Sequence, residues 1–338
     1  MAADHEPVYR LLNQAPLFWN TALAGFQTAA HIALGRVLLP DILHRPGSSR
    51  PRERRKGELT MRVGLFYFPT DYGIDIRELA RAAEERGFES LFLPEHTHIP
   101  KSRRTPYPGG GELPKAYSHT HDPFVALSFA AAATTKILLG TGICLIPQRD
   151  PIVTAKCVAS LDRLSNGRFI FGIGGGWNVD EMENHGTRYE TRFQLLRERI
   201  LAMKALWTQE EAAFHGEMVN FSPVWLYPKP LQRPHPPIIL GGPSDHTLKR
   251  VVEFCDGWFP IARGGFNPKE AVRRLRQVAS AAGRDFSTLS ISVFGAPADK
   301  AALAGYRDAS IQRAVLGIPD VSRDEIMALL DKNAPLAA

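Results

Sequence analysis

The chain has 338 residues, of which 44% are hydrophobic and 22% are charged, and its formal net charge is +6. This composition is ordinary for a globular protein with a sizeable core. Cys144, Cys157 and Cys255 show no paired spacing, which argues against a disulfide framework or a zinc site and favours a reducing, cytoplasmic compartment. Much of the basic excess lies in residues 50–56 without interleaved aromatic residues, so a linker is favoured there over a nucleic-acid site. The basic balance favours a polyanionic small molecule as ligand.

Residues 1–60 differ in composition from the rest of the chain. The apolar stretch at residues 15–39 contains Gln27, His31 and Arg36, which argues against a membrane span. The acidic residues near the start do not fit a secretory signal. A Pro-Gly-Ser-Ser segment and the arginine-rich run follow, as in a linker. We therefore predict an N-terminal extension over residues 1–60, disordered or docked as a helix, before one domain over residues 61–338.

From residue 61 onward the hydrophobic pattern predicts alternating strands and helices. The predicted strands cover residues 61–68, 90–93, 136–141, 168–173, 237–240, 257–261, 289–294 and 311–316. The predicted helices cover residues 74–86, 122–134, 151–164, 193–207, 244–255, 268–282 and 300–306, with a last helix around residues 326–330. Residues 208–235 are rich in proline and aromatic residues and are interpreted as an insertion without a regular element. Eight alternating pairs predict an α/β fold, a closed (β/α)8 TIM barrel with an insertion after helix four.

The active sites of such barrels lie at the carboxyl ends of the strands. In this chain those positions carry aromatic residues, glycines and one acid–histidine pair. They are Tyr67, Phe68, Glu95, His96, Thr97, His98, Gly142, Ile143, Gly174, Gly175, Gly176, Trp177, Asn178, Gly241, Gly242, Pro243 and Ser244. A flat heteroaromatic ring fits between side chains of this kind.

Two glycine-rich segments among these positions suggest where a ligand binds. Residues 169–178 read as a buried strand that enters a bend almost without side chains. Glycine tolerates positive φ and allows close approach to the backbone, so the bend predicts a site for an anionic or flat cofactor. A tight turn without a ligand is the alternative, and a Rossmann motif fits poorly because it would follow the first strand. Residues 241–244 precede a helix whose free amides attract phosphate, and a plain N-cap by Ser244 is compatible with that role.

Glu95 and His96 are the candidates for acid–base chemistry. A histidine titrates near neutrality and an adjacent carboxylate can tune it; a purely structural hydrogen bond from His96 is the alternative. The patterns His96-x-His98 and His119-x-His121 could each be half of a metal site. Because no further histidine or aspartate ligands follow strands five to eight, we predict no metal site.

Six segments in this order resemble the bacterial luciferase-like oxidoreductases, and more narrowly the branch that uses the deazaflavin coenzyme F420. They are residues 93–100, 139–143, 149–151, 165–168, 172–178 and 241–243, and the resemblance extends from residue 61 to about residue 331. It implies an F420-dependent oxidoreductase that transfers a hydride between the C5 carbon of the deazaflavin and a small organic substrate. The alternatives are a two-component monooxygenase that receives reduced FMN from a partner reductase, and a non-catalytic deazaflavin- or flavin-binding protein.

The resemblance also implies roles for individual residues. Glu95 and His96 would line the ring and be catalytic, and the ring would rest against a non-prolyl cis peptide between Gly142 and Ile143. The implied cofactor-binding residues are Tyr67, Thr141, Gly142, Ile143, Gly174, Gly175, Gly176, Trp177, Asn178, Gly241, Gly242, Pro243 and Ser244. Trp177 stands where sugar-phosphate dehydrogenases of the branch carry an acid, which argues against a sugar phosphate and favours an apolar or planar substrate. A homodimer is expected, without a nucleic-acid or membrane partner.

Overall fold

The computed structural model describes residues 61–263 and 265–337. The predicted extension over residues 1–60 lies outside the described residues. The strands are β1 Arg62–Phe66, β2 Ser90–Leu93, β3 Leu138–Thr141, β4 Cys144–Leu145, β5 Phe169–Gly174, β6 Ala212–His215, β7 Asn220–Val224, β8 Ile238–Gly241, β9 Gly257–Phe259, β10 Ser290–Phe294 and β11 Arg313–Gly317. The helices are α1 Ile76–Glu85, α2 Ala116–His119, α3 Pro123–Ala133, α4 Pro151–Leu164, α5 Val179–Asn184, α6 Arg192–Thr208, α7 Asp245–Phe254, α8 Pro268–Ala281, α9 Lys300–Asp308 and α10 Arg323–Asn333.

Eight of the strands form a closed parallel barrel. The strands β1, β2, β3, β5, β8, β9, β10 and β11 pair in sequence around the ring. Pairing of β1 with β11, for example Val63 with Ala314, closes the barrel. The predicted (β/α)8 TIM barrel is therefore confirmed.

Hydrophobic residues fill two layers of this barrel. Because successive side chains of a strand point to opposite faces, each barrel strand contributes to both layers. The inner layer is a cluster of Phe66, Phe92, Ile170, Ile239, Phe259 and Val315. The larger outer cluster lies between the strands and the surrounding helices, and it includes the buried Leu65, Leu91 and Trp207. A filled interior leaves only the rim of the barrel for a ligand.

Aspartate–proline pairs set the starts of two barrel helices. Asp122 accepts hydrogen bonds from the amides of Phe124 and Val125 at 2.9 and 3.1 Å, with Pro123 in the first turn of α3. Asp150 caps α4 in the same way, followed by Pro151. An N-cap carboxylate satisfies amides that lack a helical partner, and proline at the first position loses no hydrogen bond.

The insertion after the fourth barrel helix differs from its prediction. Residues 208–235 contain an antiparallel hairpin of β6 and β7, so the prediction of no regular element there was wrong. The buried carboxylate of Glu198 on α6 accepts hydrogen bonds from the amides of Met218 and Val219 at 2.8 and 2.9 Å. The rings of Phe214 and Phe221 stack across the hairpin. These contacts with α6 and across the strands stabilise a hairpin whose own sequence carries a proline in β7.

Three short elements were also missed, namely α2, β4 and α5. Each spans two to six residues, which is too short for a periodic pattern. Within the described residues, no helix has the length and apolar character needed to cross a membrane.

Candidate functional site

The carboxyl ends of the barrel strands carry a group of aromatic rings around His96. The ring of Tyr117 lies 5.1 Å from the His96 ring, and the ring of Trp177 lies 5.9 Å from it. Tyr107 contacts both Tyr117 and Trp177, at 5.2 and 6.2 Å between ring centres. Phe68 completes the group at 4.7 Å from Tyr117. We call these five residues the aromatic mouth, because together they edge one side of the barrel opening.

His96 is held in the aromatic mouth by a buried carboxylate. Its Nδ1 lies 2.9 Å from Oε2 and 3.1 Å from Oε1 of Glu181, and both side chains are almost completely buried. A carboxylate accepts hydrogen bonds, so Nδ1 carries the proton that joins the two groups. Among the described residues, Nε2 of His96 makes no hydrogen bond. The pair therefore leaves one nitrogen of the ring free for chemistry at the mouth.

Glu181 was missed by the sequence analysis. It lies on the short helix α5, 85 residues beyond His96 in the chain. The residues around this glutamate, which lies four positions after Trp177, do not indicate its role. Its pairing with His96 depends on α5 folding back over the end of β2. The available signal was its place just beyond the end of the fourth barrel strand, where site residues are expected.

Glu95 contacts partners other than its neighbour His96. Its carboxylate accepts a hydrogen bond from the amide of Leu145 at 2.6 Å and pairs with the guanidinium group of Arg149, which also pairs with Asp122. Burial, followed by the charge of Glu95, raises the pKa of the neighbouring Cys144 thiol well above its usual range. The carboxylate that pairs with His96 is thus that of Glu181, whereas Glu95 pairs with Arg149.

Tyr67 is likewise not brought to the mouth. Its side chain is 1% exposed and belongs to the outer hydrophobic cluster, between the strands and the helices. Burial raises the pKa of its hydroxyl. Phe66 and Phe68, on either side of it, face the barrel interior instead. Because side chains alternate along the strand, Phe68 contacts the inner cluster and Tyr67 does not.

The end of β3 agrees with the prediction. The peptide bond between Gly142 and Ile143 is cis. The hydroxyl of Thr141 donates a hydrogen bond to the carbonyl of Gly172 at 2.6 Å, which ties β3 to β5. Ile143 packs against the inner hydrophobic cluster. These residues lie at the rim of the barrel, next to the glycines of β5.

The glycines at the end of β5 are required by the packing of the protein itself. A Cβ atom on Gly172 would lie 1.9 Å from the carbonyl oxygen of Thr141, and one on Gly174 would lie 1.7 Å from Cδ1 of Ile143. On Gly175 it would lie 2.7 Å from the ring of Phe193. Gly176 has a φ of +73°, in the left-handed region. The close approach predicted for a ligand is therefore made, at these positions, by neighbouring protein atoms.

Asn178 follows this bend and is buried at 1% exposure. Both atoms of its side-chain amide lack a hydrogen-bond partner among the described residues, and so do those of the buried Gln148. A Cβ on Gly176 would lie 3.8 Å from Nε2 of Gln148, which places that amide behind the bend. Such a polar interior is where proteins hold ordered water.

The second glycine-rich segment is less constrained by its surroundings. Gly241 has space for a Cβ, since the nearest atom would be 3.5 Å away. The Ser244 hydroxyl accepts a hydrogen bond from the amide of Thr247 at 3.2 Å, which confirms the N-cap expected there. The carbonyl of Gly242 accepts a hydrogen bond from the indole of Trp258 at 2.7 Å. Pro243 and Ser244 are exposed at the rim.

Two of the three remaining histidines of the predicted half-sites, His98 and His119, make local side-chain contacts. Thr97 bridges His98 and His185, with distances of 3.0 and 2.7 Å from its hydroxyl to the ring nitrogens. Burial and the charge of His98 lower the pKa of His185. His119 pairs with Asp71 at 2.9 Å. In residues 61–263 and 265–337, no group of three or more histidine, cysteine, aspartate or glutamate residues is arranged to hold a metal ion.

The groups present at the mouth fit a flat redox cofactor. Aromatic rings and the inner cluster offer apolar contact to a planar ring system, while Nε2 of His96 offers one polar group. A Cβ on Gly241 would meet its neighbours only at ordinary contact distances, the nearest being Cγ2 of Ile143 at 3.5 Å, so the protein itself does not require glycine there. The residues that would hold the cofactor are therefore Ile143, Trp177, Phe68 and Gly241, together with His96.

These features define a (β/α)8-barrel protein with a histidine–carboxylate site at the carboxyl ends of its strands. A family profile described as luciferase-like monooxygenase matches residues 61–329. The chain belongs to the luciferase-like monooxygenase family, and the resemblance noted in the sequence is confirmed.

Three relatives illustrate the range of this family. An uncharacterised protein of Mycobacterium tuberculosis is 40% identical over 279 residues, which cover 81% of this chain and 98% of the relative. The F420-dependent hydroxymycolic acid dehydrogenase of the same species is 30% identical, over 71% of this chain and 63% of the relative. The FMNH2-dependent dimethylsulfone monooxygenase of Pseudomonas putida is 31% identical, over 63% of this chain and 56% of the relative. Relatives of this chain thus include both F420-dependent and flavin-dependent enzymes.

Proposed function

We propose that the protein is an F420-dependent oxidoreductase acting on a small, apolar or planar organic substrate. The observation that carries the proposal is the buried His96–Glu181 pair, which leaves Nε2 of the histidine free among aromatic rings. When bound, the deazaflavin would supply or accept a hydride at its C5 carbon. The segments that resemble the F420 branch and the 30% identity to an F420-dependent dehydrogenase support this choice of cofactor.

His96 is the group that moves a proton in this proposal. Its Nε2 donates a proton to the substrate during reduction, or accepts one from an alcohol during oxidation. Glu181 fixes the ring orientation by accepting a hydrogen bond from Nδ1. Trp177 and Tyr117 flank the ring and exclude water from the side of the site where the substrate binds. The absence of an acid at position 177 favours an electrophile such as an enone or an imine over a sugar phosphate.

Glu95 acts in this proposal as a positioning residue. Through the amide of Leu145 and the side chain of Arg149, it fixes the segment that follows the cis Gly142–Ile143 bond. This segment carries Ile143, which faces the inner cluster at the rim. The carboxylate thus supports the surface on which a ring would rest, and it does not itself contact the substrate.

The test is the oxidation of reduced F420 with a panel of enones, imines and ketones. We expect His96→Gln to lower the turnover rate by about 10²- to 10⁴-fold, as for loss of a general acid or base. The glutamine can still donate a hydrogen bond to Glu181, so the fold and the affinity for F420 should be kept. His98→Gln is the matched control, because His98 bonds to Thr97 and Asn184 and not to the Glu181 carboxylate. An unchanged rate for His96→Gln would contradict the role of His96.

A second candidate function is a monooxygenase that uses reduced FMN from a partner reductase. The flavin-dependent relative and the family description favour it. The turnover of the same variants can be measured with reduced FMN and dioxygen in place of F420. A substrate oxygenated only under those conditions would replace the first proposal by the second.

We also propose that the protein forms a homodimer through the face made by α3 and α4. Helix α3 is apolar around its whole circumference, which is typical of a buried helix. Yet Val125 and Phe129 on α3 are 58% and 52% exposed, and Val153 on α4 is 60% exposed. Light scattering of the purified protein measures the mass. We expect a dimer that Phe129→Glu converts to a monomer, and a monomeric wild type would contradict the proposal.

A further inference from the structure

Two arginine side chains lie on one aromatic ring beside the β5 bend. The guanidinium carbon of Arg250 is 4.0 Å from the centre of the Phe193 ring, and that of Arg192 is 4.5 Å from it. Phe193 in turn packs against Gly175, where a Cβ would be 2.7 Å from the phenylalanine ring. Arg192 and Phe193 begin helix α6, and Arg250 lies on α7. The three side chains thus occupy the crevice between the helices that follow two neighbouring barrel strands, β5 and β8.

Within the part of the chain that the structure describes, neither guanidinium group forms an ion pair with a carboxylate. Among the described residues, no acidic oxygen lies within 4.0 Å of Arg192 or Arg250, whereas most of the other ion pairs of the molecule are formed by arginines. The nearby Glu253 is engaged with Arg197 at 2.6 Å. The Nε atom of Arg192 is buried without a hydrogen-bond partner. Two positive charges are therefore held close together, and within the described residues the charge of Glu253 acts on Arg250 only from beyond ion-pair distance.

The guanidinium group of Arg192 is held in place by contacts with its own chain. Arg192 stacks on Tyr189 at 3.6 Å from the ring centre and donates a hydrogen bond to the Tyr189 carbonyl at 2.8 Å. Burial, followed by the charge of Arg192, lowers the pKa of Arg250. Like charges so arranged repel each other, and a bound anion relieves that repulsion. A planar guanidinium group presents several donors that match phosphate and carboxylate oxygens.

We propose that Arg192 and Arg250 form a subsite for a multiply charged anion, which takes the phosphate and carboxylate groups of the cofactor side chain. This inference rests on the proposed function. The crevice lies beside the β5 bend, and Arg250 lies on helix α7, which begins just after residues 241–244. The side chain of a cofactor that leaves the barrel mouth at this point therefore meets both arginines. The subsite selects an F420 side chain, with its phosphodiester and glutamate carboxylates, over the single phosphate of FMN. It makes these two arginines determinants of cofactor choice.

The first test uses inorganic pyrophosphate and needs no cofactor. Pyrophosphate binding stabilises the folded state and raises the melting temperature with its concentration. We expect an increase for the wild type over sodium chloride of equal ionic strength, and none for Arg250→Gln. Arg250 makes no hydrogen bond or ion pair within the described residues, so this variant should fold. Arg276→Gln is the matched control, because Arg276 stacks on Phe286 at 4.9 Å in the same way, but beside a ring that precedes β10 at the opposite end of the barrel. An equal response of wild type and Arg250→Gln would overturn the proposal.

The second test compares F420 with the riboflavin-like deazaflavin that lacks its phosphate and glutamate groups, by fluorescence titration. We expect Arg192→Gln and Arg250→Gln each to weaken F420 binding about tenfold or more, while the truncated compound binds all proteins equally. If the wild type binds both compounds with the same affinity, the subsite is refuted and the proposed function stands. If the wild type binds neither compound, the proposed function is refuted together with the assignment of the subsite to a cofactor, and a pyrophosphate response that is lost in Arg250→Gln would then show an anion site for another ligand.

Discussion

The two sides of the barrel mouth differ in what their polar groups bind. One side, which we call the interlocked side, is formed by Glu95, Arg149, Thr141, Gly172 and Gly174. There each polar side chain has a partner in the protein, and a neighbouring atom occupies the space that a Cβ would need at each glycine. On the open side, the aromatic mouth surrounds a histidine whose Nε2 has no partner among the described residues.

This contrast shows why adjacency in sequence does not imply a shared role. Glu95 and His96 are consecutive, yet their side chains contact different parts of the protein and serve different ends. A buried carboxylate that is fully paired stabilises a surface, whereas a buried pair that leaves one titratable atom free is available for chemistry. The predictions below test this division.

The largest expected effect is on the interlocked side. Glu95→Gln removes the carboxylate that pairs with Arg149 and leaves a largely buried guanidinium group with Asp122 alone. Breaking a buried ion pair in this way costs about 3–5 kcal/mol of unfolding free energy. Urea denaturation followed by circular dichroism measures it. The exposed Glu112→Gln is the control, with a change of about 0.5 kcal/mol or less. A Glu95→Gln protein as stable as the wild type would show that the pair does not support the rim.

A pair of glycine substitutions compares the two glycine-rich segments directly. In Gly174→Ala the new methyl group would overlap Cδ1 of Ile143, so we expect a loss of about 1–3 kcal/mol of stability. In Gly241→Ala the methyl group meets no atom closer than 3.5 Å, so stability should change little. Cofactor titration of the second variant then reports whether a ligand uses that space. If Gly241→Ala has wild-type affinity for both F420 and FMN, the backbone there is not part of the site.

The barrel and the location of the site could be predicted from the sequence, because both depend on periodicity. Alternating strand and helix patterns define eight units, and parallel strands bring the residues at their carboxyl ends to one rim. The individual roles depended on contacts that periodicity does not encode. The side chain of Tyr67 packs in the outer cluster, and the alternation of side chains from Phe66 to Phe68 could have indicated this. Glu181 could not be assigned, because its partner is 85 residues away on another unit.

The glycines illustrate a second limit of sequence reasoning. Three glycines in four positions indicate that something approaches the backbone closely, but not whether it is a ligand or the protein. For Gly174 and Gly175 the answer is Ile143 and Phe193, which come from other segments of the chain. The hairpin in residues 208–235 was missed for a related reason, since its contacts with Glu198 come from helix α6.

The smallest expected effect concerns substrate contact on the open side. Trp177→Ala removes a ring that lies 5.9 Å from His96, while Trp177→Phe keeps an aromatic face there. An aromatic contact contributes about 0.5–1.5 kcal/mol beyond its buried area. We therefore expect KM for a planar substrate to rise a few-fold to about tenfold in Trp177→Ala and to change little in Trp177→Phe. Steady-state kinetics on both variants measure this, and equal KM values would remove Trp177 from the substrate contact.

The most direct test of the central claim is equilibrium titration of the purified wild-type protein with F420 and, separately, with FMN. The account predicts saturable binding of F420 at micromolar or lower concentration, tighter than that of FMN, with the change in cofactor fluorescence as readout. Binding of FMN alone would contradict the F420 assignment. Saturation by neither compound would contradict the claim that this barrel mouth holds a planar redox cofactor.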